Sequence, residues 1–153
     1  MIKGKMLLWL FTLIVITVTG GCDQGKVITA PAGFVVTVNP VSFDWTDTGV
    51  SIISNTVDFT IIVYDADGKA RDHIELYIDS PVMRAMAVNQ IMWFEYPYGT
   101  PVYTAIKPVT DSAGGYQLRV GFRSGGGLNY SDDISIMSGS ATLATIAFSV
   151  SDV

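Results

Sequence analysis

What most constrains this chain is a period of two. From Phe34 onward, apolar residues recur at every second position in five separate runs. Phe34, Val36 and Val38 alternate with Val35, Thr37 and Asn39. Val57, Phe59, Ile61 and Val63 alternate with Asp58, Thr60, Ile62 and Tyr64. Ile74, Leu76 and Ile78 alternate with His73, Glu75, Tyr77 and Asp79. Tyr116, Leu118, Val120 and Phe122 alternate with Gln117, Arg119, Gly121 and Arg123. Ala144, Ile146, Phe148 and Val150 close the pattern. Successive side chains of a strand point to opposite faces, so each run predicts a strand with one buried and one solvated face.

Turn chemistry separates the runs. Asp65-Ala66-Asp67-Gly68 and Asp111-Ser112-Ala113-Gly114-Gly115 place Asp where its carboxylate can bond the turn backbone, and Gly where positive φ is needed. Ser124-Gly125-Gly126-Gly127 and Ser138-Gly139-Ser140 add two more, and Asp132-Asp133 reads as part of a further turn. Residues 82–91 are the one helix-tolerant stretch after Cys22. Seven to nine short strands at such spacing predict an all-β sandwich or barrel. The inward residues would fill a gap of about 10 Å between two sheets. At this length roughly two-thirds of the unfolded surface can be buried, so a core can form without disulfides.

Composition narrows the function classes. The chain has 153 residues, 49% apolar and 15% charged, which argues against intrinsic disorder. A single Cys forbids an internal disulfide, and one His with one Cys does not make a zinc site of the usual kind. A net charge of −5 without a basic run argues against nucleic-acid binding.

The first residues read as an address. Lys3 and Lys5 precede an apolar run at 6–18, too short for the roughly 20 residues of a spanning helix and of the length of a signal-peptide core. Thr19, Gly20, Gly21 and Cys22 follow, and this ending resembles the lipobox of bacterial lipoproteins. The resemblance implies a signal peptide over 1–21 and a lipidated N-terminus and tether over 22–32. It implies a covalent lipid on Cys22 and a place in the bacterial cell envelope, anchored to the inner or outer membrane. Asp23 resembles the inner-membrane retention signal of some such proteins. Loss of 1–21 would leave seven basic against fourteen acidic side chains, a formal charge of −7.

Residues 33–153 resemble bacterial Ig-like domains of the invasin/intimin type. The resemblance rests on the strand and turn Asp58-Phe59-Thr60-Ile61-Ile62-Val63-Tyr64-Asp65-Ala66-Asp67-Gly68-Lys69. It rests also on Thr110-Asp111-Ser112-Ala113-Gly114-Gly115-Tyr116 and on the close from Ser138 through Phe148-Ser149-Val150. It implies an Ig-like β-sandwich acting in adhesion, protein binding or structural assembly, with no catalytic residue and no cofactor beyond the lipid. Residues 80–107 depart from it, being longer and more aromatic.

Few residues suggest chemistry. His73 is the sole histidine, beside Asp72 and Glu75, and no serine sits in a G-x-S-x-G elbow, so a solvated strand residue is expected. Asp65 and Asp67 are weak metal candidates: Gly68 comes too early for a calcium loop, and its closing Glu is missing. An acidic pair serving an envelope hydrolase is the remaining enzymatic alternative. Gly125-Gly126-Gly127 lacks the Lys-Ser/Thr of a phosphate loop.

One segment stands apart. Trp93, Phe94, Tyr96, Tyr98 and Tyr103 are five of the fifteen aromatic residues after Cys22, within eleven positions, stiffened by Pro97 and Pro101. Aromatic side chains combine apolar area with a polar tip and mark interfaces and sugar platforms. The five residues are a candidate surface for a protein partner or a glycan, or else caps on one end of the core. Trp45 is expected in the core.

Overall fold

The computed structural model describes residues 27–153, so the signal-peptide reading of 1–21 and the lipidation reading of Cys22 lie outside the described residues. Nine strands occur among the described residues: β1 Val35–Asn39, β2 Ser42–Asp47, β3 Ile53–Tyr64, β4 Tyr77–Asp79, β5 Met92–Glu95, β6 Pro101–Val102, β7 Gly115–Ser124, β8 Tyr130–Ser138 and β9 Ala141–Asp152. They form two sheets, ordered β1-β3-β7-β5-β6 and β2-β9-β8-β4. β1 runs antiparallel to β3, while β2 runs parallel to β9 in the other sheet. The chain changes sheets at Pro40, which has no N–H to give a ladder. With the first strand divided between the sheets, these orders reproduce the ABED and CFG arrangement of an Ig-like β-sandwich. The short β6 is added beyond β5.

The period of two is what closes the two layers. Phe59, Ile61, Val63, Leu118, Val120, Phe122, Ile146, Phe148 and Val150 all point inward and are buried. β2 contributes Phe43 and Trp45, half-buried. Phe43 stacks on Phe148 with centroids 4.9 Å apart, and Trp45 meets Phe122 edge-on at 5.6 Å. A polar clasp crosses the same end of the sandwich. The buried Ser124 hydroxyl of β7 donates to Asp47 of β2 at 2.5 Å and accepts from Asn55 Nδ2 of β3 at 2.9 Å.

Three local expectations change. Ile74, Leu76 and Ile78 are buried as the alternation requires, yet only Tyr77–Asp79 is a strand. His73 sits at φ 55°, outside extended backbone, and the Ile74 N–H goes to Thr110 Oγ1 at 3.0 Å instead of a ladder. Asp132-Asp133 is not in a turn but within β8. Asp133 faces solvent, and Asp132 accepts a hydrogen bond from Ser80 Oγ, which removes the need for a loop. Residues 80–107 hold more than a connection. Ser80 caps a short helix α1, Pro81–Ala85, by accepting from Met83 N at 2.9 Å, with Pro81 at the first position. A 3-10 turn over Ala87–Asn89 and the β5–β6 hairpin follow.

The stretch read as a tether is engaged at its end. Ile28 N donates to His73 O and Glu75 N donates to Ile28 O, both at 2.9 Å, making one parallel bridge with Ile74. Ala30 N donates to Ser138 Oγ at 2.8 Å. The turns nearby are tightly fitted. Gly114, at φ 76°, has the Arg71 amide only 2.7 Å from where a Cβ would stand.

Phe59→Ala should cost about 3–5 kcal/mol, the range for emptying a buried aromatic site. Val50→Ala, at a position 95% exposed, should stay within about 0.5 kcal/mol. Urea denaturation of both variants checks the pair.

Candidate functional site

Strand parity sorts the aromatic segment. In β5, Met92 and Phe94 point inward and are fully buried, while Trp93 and Glu95 point out from the five-stranded sheet. Phe94 is therefore core and not part of a binding surface. Tyr96 follows the end of β5 and is exposed, and its hydroxyl donates to the Lys107 carbonyl at 3.2 Å. It lies near enough to Tyr116 to help burial push that phenol up to about 12, burial being the larger cause. Trp93 lies on the outer face of the sheet with Tyr103 beside it, and Tyr96 and Tyr98 are exposed.

That surface is organised by a glycine. Trp93 pairs with Gly121 of β7, and a Cβ at Gly121 would lie 2.0–2.4 Å from indole atoms. The indole thus lies flat on bare backbone, which only Gly permits. Tyr103 approaches at 6.4 Å with a 58° tilt. The indole N–H is buried without a hydrogen-bond partner. Leaving such a donor unpaired costs about 1–3 kcal/mol, so packing alone holds the ring down.

Two residues along β7, Arg119 faces Asp58 across the β3 ladder. Its Nε and Nη2 donate to the two Asp58 oxygens, each at 2.7 Å, a bidentate pair. The Arg119 hydrogen bonds hold the Asp58 carboxyl below its usual range, and its charge adds to this against the cost of burial. The same pairing raises the Arg119 guanidinium. Tyr98, 63% exposed, covers the guanidinium at 4.3 Å from ring centroid to Cζ. Glu95 stands 4.0 Å from Nη1 and accepts from Gly99 N, closing the turn that carries Tyr98. On the other side of Gly121, Arg123 makes one long bond to the Asn89 carbonyl, 3.4 Å. It has no carboxylate partner among the described residues.

The acidic candidates are arranged differently. Asp65 Oδ1 accepts from Asp67 N at 3.0 Å and Lys69 N at 2.8 Å, and Oδ2 accepts from Arg71 Nε at 2.7 Å. The Lys69 amide, then Arg71, hold its carboxyl low despite burial. Asp67 is exposed in the same turn. Both of Asp65's oxygens are occupied in closing a turn. Among the described residues no group of three or more His, Cys, Asp or Glu is placed to hold a metal. His73 Nδ1 meets Asp72 Oδ2 at 3.0 Å on the surface. A shallow groove of about 520 Å³ on the other sheet is lined by Asp44, Asp132, Asp133 and three serines. Asp44 there accepts from Ser149, and Asp132 from Ser80.

Asp58, Glu95, Arg119, Gly121 and Arg123 were not singled out from sequence as site residues. The alternation of β7 already put Arg119, Gly121 and Arg123 on one face. What was missing was the register that sets Trp93 against Gly121.

No protein-family model and no curated protein matches this chain. Solved structures that match it include that of WR4, an MSP family member from C. elegans. The TM-score is 0.40 at 10% identity, over 78% of this chain and 98% of that one. At that similarity the strand order itself carries the fold assignment.

Gly121→Ala should displace the indole, shift Trp emission to the red and lower stability, whereas Gly68→Ala, whose Cβ meets nothing within 4 Å, should leave emission unchanged. Acid should destabilise the fold. Asp47, Asp58 and Asp65 all have depressed carboxyls. Their contribution is complete above the unfolded value, near 3.9, and is lost as pH falls through the folded values. Thermal melts from pH 6 to pH 2 should show the midpoint dropping, with a shallower drop in Asp65→Asn. At the alkaline end the signs reverse. Tyr116 and Tyr130 are raised, chiefly by burial, so stability should fall as pH passes about 10, where the unfolded phenols ionise.

Proposed function

We infer that this protein is a membrane-anchored, non-catalytic binding domain of the bacterial cell envelope. Its Ig-like sandwich acts in adhesion, protein binding or structural assembly, in the manner of invasin/intimin-type domains, and a lipid on Cys22 retains it at the bilayer. One observation supports the binding role above the others: the outer face of the five-stranded sheet presents Trp93, Tyr98 and Tyr103 in fixed positions. Side chains already immobilised on a sheet lose little entropy when a partner arrives. Aromatic and Arg residues are also the types that dominate interface energetics. A catalytic role has little support. General acids need a raised carboxyl, and both Asp58, paired with Arg119, and Asp65, held first by the Lys69 amide and then by Arg71, are lowered.

The anchor follows from the basic start, the apolar run and the small residues before Cys22. One acyl chain binds a bilayer only marginally, so the two or three chains of a bacterial lipoprotein would be needed for lasting attachment. Glycan binding is the second reading. The flat indole on Gly121, with the Asp58–Arg119 pair beside it, has the form of a stacking platform with polar groups at its rim.

Cys22→Ser should abolish incorporation of a palmitate analogue and leave an unprocessed precursor; label entering the variant equally would refute the lipid anchor. Wild type and Trp93→Ala should be compared on a glycan array and in cross-linking on whole cells. A protein cross-link lost in Trp93→Ala, with no glycan bound, is the expected result. Glycan binding lost in Trp93→Ala would establish the second reading, and unchanged partners in both assays would remove this face from the function.

A further inference from the structure

Ile28 is the first described residue at which the chain is fastened, and it is fastened at one end of the sandwich. Its two backbone bonds to His73 and Glu75 lie beside the Ser138–Ser140 turn, where Ala30 N bonds Ser138 Oγ and Thr29 Cγ2 lies 2.9 Å from a Cβ position on Gly139. The turns at 65–69 and 111–115 close the same end, since Gly33 neighbours Ala66 and Gly114 abuts Arg71. The opposite end is built by Gly49, Val50, Gly126, Gly127 and Val153.

Chain length turns this into an orientation. Six residues separate Cys22 from Ile28, a reach of at most about 20 Å. β7 runs from the Gly115 end to the Ser124 end through ten residues, about 30 Å. A lipid on Cys22 can therefore lie near the Ile28 end and cannot reach the Val50 end while the Ile28 bonds hold. We propose that the bridge at Ile28, with the Ala30–Ser138 bond beside it, sets the orientation of the domain on the bilayer, with the 65–69, 111–115 and 138–141 turns toward the lipid surface and the Val50–Gly126 end toward the aqueous space. Trp93 and Arg123 stand in the outer half, because Gly121 lies six residues along β7 from Gly115. This inference rests on the reading of Cys22 as lipid-bearing. It adds that the chain is held to the domain from Ile28, six positions after Cys22.

The test uses the full-length lipidated protein in phosphatidylcholine vesicles that carry a headgroup-spin-labelled lipid. Ser140→Cys or Val50→Cys supplies one fluorophore position, both residues being exposed. Cys22 is the only native cysteine and, once acylated, does not react. Quenching at position 140 should exceed that at position 50 several-fold. Ile28→Pro combined with Ser138→Ala, which removes the donor to His73 and the acceptor of Ala30 N, should erase most of that contrast with the fold intact by near-ultraviolet circular dichroism. Equal quenching at both positions in the parent, or stronger quenching at position 50, overturns the orientation. A contrast that survives the double variant overturns this clamp as its cause. Protein that fails to float with the vesicles sinks the lipid reading and the orientation together, an outcome distinguishable from the other two.

Discussion

The pairing of β3 with β7 is the constraint on which the other features rest. Ten residue pairs run from Ile53 opposite Ser124 to Ile62 opposite Gly115. These two strands are the middle of the five-stranded sheet, so their register sets what every neighbour meets. A slip of β3 by one residue against β7 would turn Phe59 and Ile61 to solvent and drive Asp58 into the core. Burial of the apolar set opposes that slip strongly, and the Asp58–Arg119 pair marks the same alignment from outside. The interior therefore fixes the exterior. Asp58 meets Arg119 because Phe59 and Leu118 must both point inward.

The outer surface inherits this precision and gains a gap. Gly121 leaves the central strand without a side chain where its neighbours carry Arg119 and Arg123. β5 fills the gap from the side with Trp93. An aromatic ring laid over a strand glycine restores burial to an exposed stretch of backbone. The indole pays for its place with an unpartnered N–H.

The core was legible in the sequence because burial imposes a periodicity that needs no tertiary knowledge. Inward Phe59, Leu118 and Phe148 follow from alternation alone, and the Asp65 and Asp111 turns follow from Asx chemistry and Gly. The sheet partners were not legible in this way. β2 has only Phe43 and Trp45 as an alternating signal, and β8 begins with polar residues whose Asp132-Asp133 pair mimics a turn. The candidate site was half legible. The aromatic cluster stands out by composition, but local sequence does not separate Phe94, which faces the core, from Trp93, which faces out. That separation depends on which face of β5 meets the core, a long-range fact. His73 was misleading for a related reason: alternation continued through it, while its backbone at positive φ did not.

The clasp among Asp47, Ser124 and Asn55 joins the two layers at one end of the sandwich, a cross-link of the kind that other sandwiches make with paired sulfurs through the core. Hydroxyl, amide and carboxylate groups form such a link without any oxidant or thiol exchange. With a single cysteine in the sequence no internal disulfide can form, so folding of the domain does not depend on the redox poise of the compartment in which it matures.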